Sequence, residues 1–418
     1  MGASTGIGGL LSAAADLWRR AAPEALRRPV ARRIQAAKAR AIGQGRDARP
    51  GGPVGTVEVA GLLSQILGVG EGARLSAAAL EAAGYAVIRT DLGPLFGREP
   101  QLALPPSAPG APDVTIFHLN GPELLHLAAT RGAAAFAAPW TIGYWAWELE
   151  ALPPLWDPAF HLLDEIWCPS EFTAQAVRAR APARVRVGVA PHPVHELAAA
   201  PPDRPRFDLP AEAVVVLTSF DVGSTFARKN PDDALEAFRL ATQDGGPESL
   251  MVCKVVGAGR DPAALAALRA RAPANVRLLE AALSDAEMSS LIASADIVLS
   301  LHRAEGFGLL LARAMLAAKP VVATGWSGNL DFMTAETSVL VPYDLRPTRD
   351  PQGLYKGGRW AWPRVEQAAT ALRALIADAD QRAALGARAL ASAQIQFSAD
   401  AYRDLLHGLL GSPKAPQP

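Results

Sequence analysis

The chain has 418 residues, half of them hydrophobic, with 41 Lys or Arg balanced by 41 Asp or Glu. That length exceeds what one hydrophobic core usually serves, so two domains are expected, and the zero net charge speaks against nucleic acid as a partner. No apolar run reaches the roughly 18 to 20 residues of a membrane-spanning helix. The amino terminus lacks the order of charges typical of a secretion signal. The two cysteines, Cys168 and Cys253, lie in apolar runs and read as buried thiols in a reducing compartment, so a cytoplasmic location is expected.

Residues 1–50 form a basic extension, with ten Lys or Arg against Asp16, Glu24 and Asp47. Leu17, Trp18, Leu26, Val30 and Ile34 are scattered among the arginines. The pattern reads either as an amphipathic helix that places residues 1–48 on an anionic membrane's inner face, or as a solvated, partly disordered extension whose periodicity Pro23 and Pro29 interrupt.

From residue 51 onward, strand-like and helix-like segments alternate, as in doubly wound α/β domains. Over 51–194 the runs 54–60, 85–90, 114–119, 141–145, 165–168 and 186–190 read as strands, and 71–83 as a helix. A proline-rich linker, 195–211, follows. Over 212–396 the pattern predicts strands at 214–220, 250–256, 276–279, 297–301 and 321–324, with helices at 231–241, 263–271, 284–294 and 309–318. Residues 365–396 read as helical with a break near 378–380, residues 397–410 as a last helix, and 411–418 as a disordered tail. Two such domains leave a cleft between them, a common place for ligands.

The most informative stretch is LSLHRAEGFGLLLARAMLAAKPVVATGWSGNLD, from Leu299 to Asp331. It sets a charged, glycine-hinged loop between a buried strand and a helix, where α/β folds bind ligands. The backbone N–H groups of Gly306, Phe307, Gly308 and Leu309, at the positive end of the helix dipole, favour an anion such as a nucleotide phosphate.

EGFGL at Glu305–Leu309, Ala314–Met315, KPVVAT at Lys319–Thr324 and SGN at Ser327–Asn329 resemble the donor-site signature of retaining glycosyltransferases of family 4. The resemblance implies the GT-B fold: two Rossmann-like domains facing each other across a cleft, with the C-terminal helix at 397–410 crossing back to the first. It implies that Glu305 contacts the donor sugar. The family has a second Glu, holding the ribose hydroxyls, where this chain has Arg313. An arginine accepts no hydrogen bonds; it either pairs with a phosphate or marks a weakened, repurposed site.

Arg228 and Lys229 in FDVGSTFARKNP, and Lys254 in LMVCKVVG, resemble the basic residues that neutralise the donor diphosphate in that family. A guanidinium fork and a lysine point charge suit phosphoryl oxygens that gain charge in the transition state. Arg228 and Lys229 also read as ordinary solvated loop charges, whereas a lysine in a buried strand needs a cleft or an anionic partner. His118 ends a strand and reads either as a cleft residue beside the reacting sugar, as the resemblance implies, or as a core histidine. Glu148 lies in GYWAWELE, Gly143–Glu150, after the aromatic residues of which Trp145 and Trp147 are core residues or sugar platforms.

In GVGEGAR, Gly68–Arg74, the glycines precede a predicted helix where backbone, at Gly70 above all, can approach a ligand. With Ala73 and Asp91 this segment also imitates the dinucleotide-binding fingerprint, although the connection from the preceding strand is long for it. Asp378 and Asp380 copy a metal-binding spacing in an exposed helical context, and no metal is expected.

The combined expectation is a metal-independent glycosyltransferase without a cofactor, moving a hexose from a nucleotide diphosphate sugar to a saccharide or lipid-linked acceptor. A degenerate nucleotide-sugar-binding protein and an NAD-dependent oxidoreductase are the alternatives.

Overall fold

The computed structural model describes residues 24–44, 53–196, 200–350 and 353–414. Two six-stranded parallel sheets organise the chain. The first contains β1 (Thr56–Gly61), β2 (Ala86–Asp91), β3 (Val114–His118), β4 (Trp140–Tyr144), β5 (Glu165–Cys168) and β6 (Arg186–Val189), in the order β2-β1-β3-β4-β5-β6. The second contains β7 (Val214–Asp221), β8 (Ser249–Val256), β9 (Val276–Leu279), β10 (Ile297–Ser300), β11 (Val321–Thr324) and β12 (Val339–Val341), in the order β12-β11-β10-β7-β8-β9. Every residue of β3, β4 and β5 is buried, as parallel strands covered on both faces must be. Separate apolar layers pack on the two faces of each sheet.

Strand order reverses between β1 and β3 in the first sheet and between β7 and β10 in the second. At such a reversal the helices leave on opposite faces and a crevice opens beyond the carboxyl ends of the strands. Those ends, at His118 in one sheet and at Asp221 and Ser300 in the other, line a single cleft of about 430 Å³.

Two elements tie the halves together. The antiparallel hairpin of β13 (Tyr343–Pro347) and β14 (Arg359–Pro363) inserts Trp360 into the apolar layer that also holds Trp145, Trp147 and Trp156. Helix Ala399–Leu410 returns to the first sheet, placing Tyr402, Leu406 and Leu410 among Val57, Leu80 and Val87. This hairpin was not legible in the sequence, because its strands are short and half exposed.

Several sequence expectations change. Of the two readings of the basic extension, Glu24–Ile42 takes the helical one, and it does so through Pro29, whose missing N–H leaves one backbone bond of the helix unmade. Ala39 is buried in the first domain's core, and Lys38 Nζ donates to the Ala129 carbonyl at 3.2 Å. The expected membrane contact of residues 1–23 and 45–48 lies outside the described residues. The helix expected from residue 71 begins at Gly68, so Gly68 and Gly70 form its first turn and do not precede it. In the expected tail, residues 411–414 are docked: Lys414 pairs with Asp113, and its N–H donates to the Val54 carbonyl. Residues 415–418 lie outside the described set. Asp378 caps helix Ala379–Gln396 by accepting from Gln381 N at 2.8 Å, which accounts for the imitation of a metal motif. No helix is long and apolar enough to cross a membrane among the described residues.

Candidate active site

The second-domain wall of the cleft begins at Gly308, whose φ of +103° caps helix Leu309–Leu316. A left-handed conformation of this kind costs an L side chain energy that glycine avoids. The first N–H groups of the helix have no carbonyl one turn back to receive them, and Gly306 to Leu310 face the cleft. Phe307 packs its ring onto Phe332 and Phe397 and meets the ring of His192 from the first domain edge-on, centroids 5.2 Å apart. The loop is clasped from both sides. Gly328 N donates to the Glu305 carbonyl at 2.9 Å, and Ser170 Oγ of the first domain donates to the Gly306 carbonyl at 2.6 Å.

Glu305, Arg228 and Lys229 meet here. Lys229 Nζ donates to Glu305 Oε1, and Arg228 Nη1 lies 3.3 Å from Glu305 Oε2. Arg228 is only 2% exposed and spends its fork on the Ala304 carbonyl at 2.7 Å and on Ser224 Oγ at 2.7 Å. Glu148 reaches it from the first domain at 3.5 Å and accepts from Tyr355 Oη at 3.0 Å. Burial alone would raise the Glu305 carboxyl, but Lys229 and Arg228, with His302, hold it at about 2. Burial opposes the charge on Arg228, and Glu148 and Glu305 overcome it, keeping the guanidinium protonated. The site is thus a buried alternation of charges, two acids and two bases, of which Lys229 is the most exposed.

The first-domain wall carries His118, stacked on Tyr144 with ring centroids 4.4 Å apart. Burial pushes His118 down to about 3, and its Nε2 is buried without a partner among the described residues. His192 lies beside it. Tyr144 Oη donates to the Ala190 carbonyl at 2.8 Å, so His192 Nδ1, 3.2 Å away, must carry the proton that links them. Burial holds His192 down at about 4. Both imidazoles are neutral near pH 7.

The structure thus brings Glu305, Arg228, Lys229, the 306–309 backbone, His118 and Glu148 to one cleft. Lys254, Arg313 and Gly70 stand off its wall. Lys254 is 3% exposed on β8, and its acidic neighbours are Asp221 and Glu71. Arg313 points to Glu71. Gly70 allows close packing: a Cβ there would lie 2.5 Å from the carbonyl oxygens of Leu62 and Gln65. Trp145 and Trp147 are core residues, packed on Trp156. Asp91 accepts from Ser64 Oγ at 2.6 Å and, more weakly, from Gly93 N at 3.3 Å. Its carboxylate is consumed inside its own loop, and six residues separate β1 from the helix at Gly68, so the dinucleotide fingerprint has no structural counterpart.

Sequence reasoning missed His192, Asn120, Glu123, Arg98 and Arg260, which also line the cleft. The signal for His192 was readable, since APHPV follows a strand and its prolines end regular structure. The others carry none, because Arg98 arrives on a loop, Arg260 on the short 3-10 turn Ala258–Arg260, and Glu123 looks like an ordinary first-turn acid. Among the described residues no group of His, Cys, Asp and Glu is placed to hold a metal ion.

Residues 218–356 match the family model described as glycosyl transferases group 1, about a third of the chain. No curated protein sequence matches it. Among solved structures the chain is similar to the sucrose-phosphate synthase of Thermosynechococcus elongatus, with a TM-score of 0.60 at 14% identity over 85% of this chain and 98% of that one. It is similar to Anabaena HepE solved with UDP-glucose, with a TM-score of 0.58 at 16% identity over 85% of this chain and 99% of that one. The pneumococcal O-GlcNAc transferase GtfA, solved with UDP and GlcNAc, gives a TM-score of 0.50 at 15% identity over 71% of this chain and 56% of its own. This chain therefore spans little more than half of that protein. These likenesses establish the GT-B fold: two Rossmann-like domains facing a common cleft.

Proposed function

We propose that this chain is a retaining glycosyltransferase that moves a hexose from a nucleoside diphosphate sugar to an acceptor hydroxyl, such as that of a saccharide or lipid-linked saccharide. The observation that carries the reading is the meeting of the Glu305 carboxylate, two basic residues and an open helix start at the carboxyl ends of β7 and β10. Lys229 and the 308–310 N–H groups hold the diphosphate, Glu305 accepts from two sugar hydroxyls, and Arg228 stabilises charge on the leaving group. In the transfer, the bond from the sugar's anomeric carbon to the phosphate oxygen breaks. The acceptor oxygen bonds to that carbon from the same face, and its proton passes to the departing diphosphate. No protein nucleophile is required, so catalysis lies in positioning and electrostatic stabilisation. The neutral His118 imidazole, its Nε2 unpartnered, faces the reacting side of the sugar. The expected workplace is the cytoplasm.

The family model and the UDP-bound structural neighbours support this reading. Incubation with UDP-, GDP-, ADP- and dTDP-hexoses, with release of the nucleoside diphosphate followed by coupled assay, tests it. Proton NMR of the product tests retention of the anomeric configuration. Release of no diphosphate from any donor, with candidate acceptors present, would overturn it.

A further inference from the structure

Arg313 and Glu71 form an ion pair between the domains, Nη1 to Oε1 at 2.8 Å. Arg313 comes from helix Leu309–Leu316, whose first turn faces the cleft, and Glu71 from the first turn of helix Gly68–Ala82 on the opposite wall. The other arm of the guanidinium donates to the Asp285 carbonyl at 3.2 Å and to Ser289 Oγ at 3.5 Å. Arg313 is 8% exposed, and both arms of its fork are held by these partners inside the protein, while its Nε is buried without a partner among the described residues.

Glu71 is in the opposite condition. One oxygen is taken by Arg313, while Oε2 receives no hydrogen bond among the described residues, although the side chain is only 18% exposed and the residue lines the cleft. An ionised carboxylate accepts and never donates. A phosphate would be repelled by it. What fits is a ligand group that donates: on a nucleoside diphosphate sugar these are the hydroxyls of ribose and hexose and the N–H groups of the base, and only the hydroxyls are common to every such donor. We propose that Glu71, contributed by the first domain, is the cleft's acceptor for a ligand diol, and that Arg313 is its positioning residue. The inference rests on the nucleotide-sugar reading given above.

The arrangement has a consequence for how the cleft works. The diphosphate contacts belong to the second domain and the diol contact to the first, so a ligand held by both requires the domains to be apposed as they are here. Burial raises the Glu71 carboxyl while Arg313 opposes the rise, a sign that the carboxylate is short of solvent and stands to gain from a donor. Arg74 and Lys254 are its further basic neighbours and Asp285 its acidic one.

The diol is either the ribose of the nucleotide or part of the transferred hexose, and calorimetric titration separates the two. Wild type, Glu71→Gln and Glu71→Asp are titrated with UDP, GDP and ADP, with the 2′-deoxy form of each that binds, and with UDP-glucose. A hydrogen bond to a charged acceptor is worth about 1.5 to 3 kcal/mol, so affinity is expected to fall by about 10- to 100-fold in Glu71→Gln. Glu71→Asp, which keeps the charge but withdraws the oxygens by one methylene, should lose a comparable amount. If the diol is ribose, the loss appears with the nucleoside diphosphate and vanishes with its 2′-deoxy form. If it is the hexose, the loss appears only with UDP-glucose. Thermal denaturation of the same variants reports whether the pair is merely a strut. Lowered melting temperatures with unchanged affinity for every ligand would overturn the proposal. Wild type that binds none of the nucleotides would overturn the underlying reading of the cleft instead.

Discussion

Glu148 of the first domain and Arg228 of the second stand 3.5 Å apart across the cleft, and Arg228 is in turn 3.3 Å from Glu305. A guanidinium that is almost fully buried therefore lies between two carboxylates from opposite walls, joining the ligand site to the apposition of the domains.

Arg228→Ala should be costly to the fold as well as to activity. Removing one member of a buried ion pair leaves the others uncompensated, at about 3 to 5 kcal/mol. Urea denaturation should show that loss, and adding Glu148→Gln to Arg228→Ala should recover part of it. An Arg228→Ala protein as stable as wild type would contradict the burial and pairing described.

Glu305→Gln preserves the shape of the loop and removes the charge that Lys229 and Arg228 share. Hexosyl transfer should fall by on the order of 10²- to 10³-fold, the scale associated with losing one transition-state contact. Steady-state kcat for the best donor is the measurement. Unchanged turnover would remove Glu305 from the site.

Acid should destabilise the protein well before carboxylates titrate. His118 and His192 are held down to about 3 and about 4 by burial, against about 6.5 in an unfolded chain. The unfolded state thus binds protons that the native state refuses. Stability is fully present above pH ~6.5 and is lost as pH falls toward the folded values, at up to about 2.7 kcal/mol per pH unit for the two groups together. Urea midpoints between pH 7 and pH 4.5 check this. His302, which burial also holds down, adds to the slope, so His118→Asn should flatten the profile only in part.

Ser170→Ala removes two bonds at once. Ser170 caps helix Glu171–Arg178 by accepting from Thr173 N at 3.2 Å and donates to the Gly306 carbonyl at 2.6 Å. The cap and the bond are each worth about 1 kcal/mol, so the expected loss is about 2 kcal/mol. Nucleotide affinity, read calorimetrically, should weaken with it, since the Gly306 carbonyl belongs to the ligand-facing loop and would be left with only the long 3.4 Å bond from Thr173 Oγ1.

Gly328→Ala places a Cβ 2.2 Å from the Gly306 carbonyl oxygen. Backbone cannot give way as a flexible side chain can, so the 305–307 loop must move. Overpacking of this kind costs about 1 to 3 kcal/mol. Nucleotide affinity should drop at least about tenfold, whereas Gly259→Ala, in open space, should be neutral in both respects.

The alternation of short apolar runs with amphipathic helices was sufficient to expose two α/β halves, because a parallel strand buried on both faces must be apolar throughout. EGFGL was legible for a related reason: the glycines follow a strand and open a helix, a local arrangement that sequence order alone specifies. By itself the sequence therefore determined β1 to β11, the helix start and the candidates Arg228 and Lys229, but not β12 or the β13–β14 hairpin. It could not determine which charges meet. Arg313 and Glu71 are 242 residues apart, and Arg228 and Glu148 come from different domains. Their pairing depends on two sheets being apposed, and no periodicity or spacing encodes that. The same holds for Trp145, Trp147 and Asp91, whose roles as core and loop anchors rather than ligand contacts were settled by what packs against them. A residue type states what bonds are available; only tertiary contact decides which are already used, and so which, like Glu71 Oε2, are left to face the cleft.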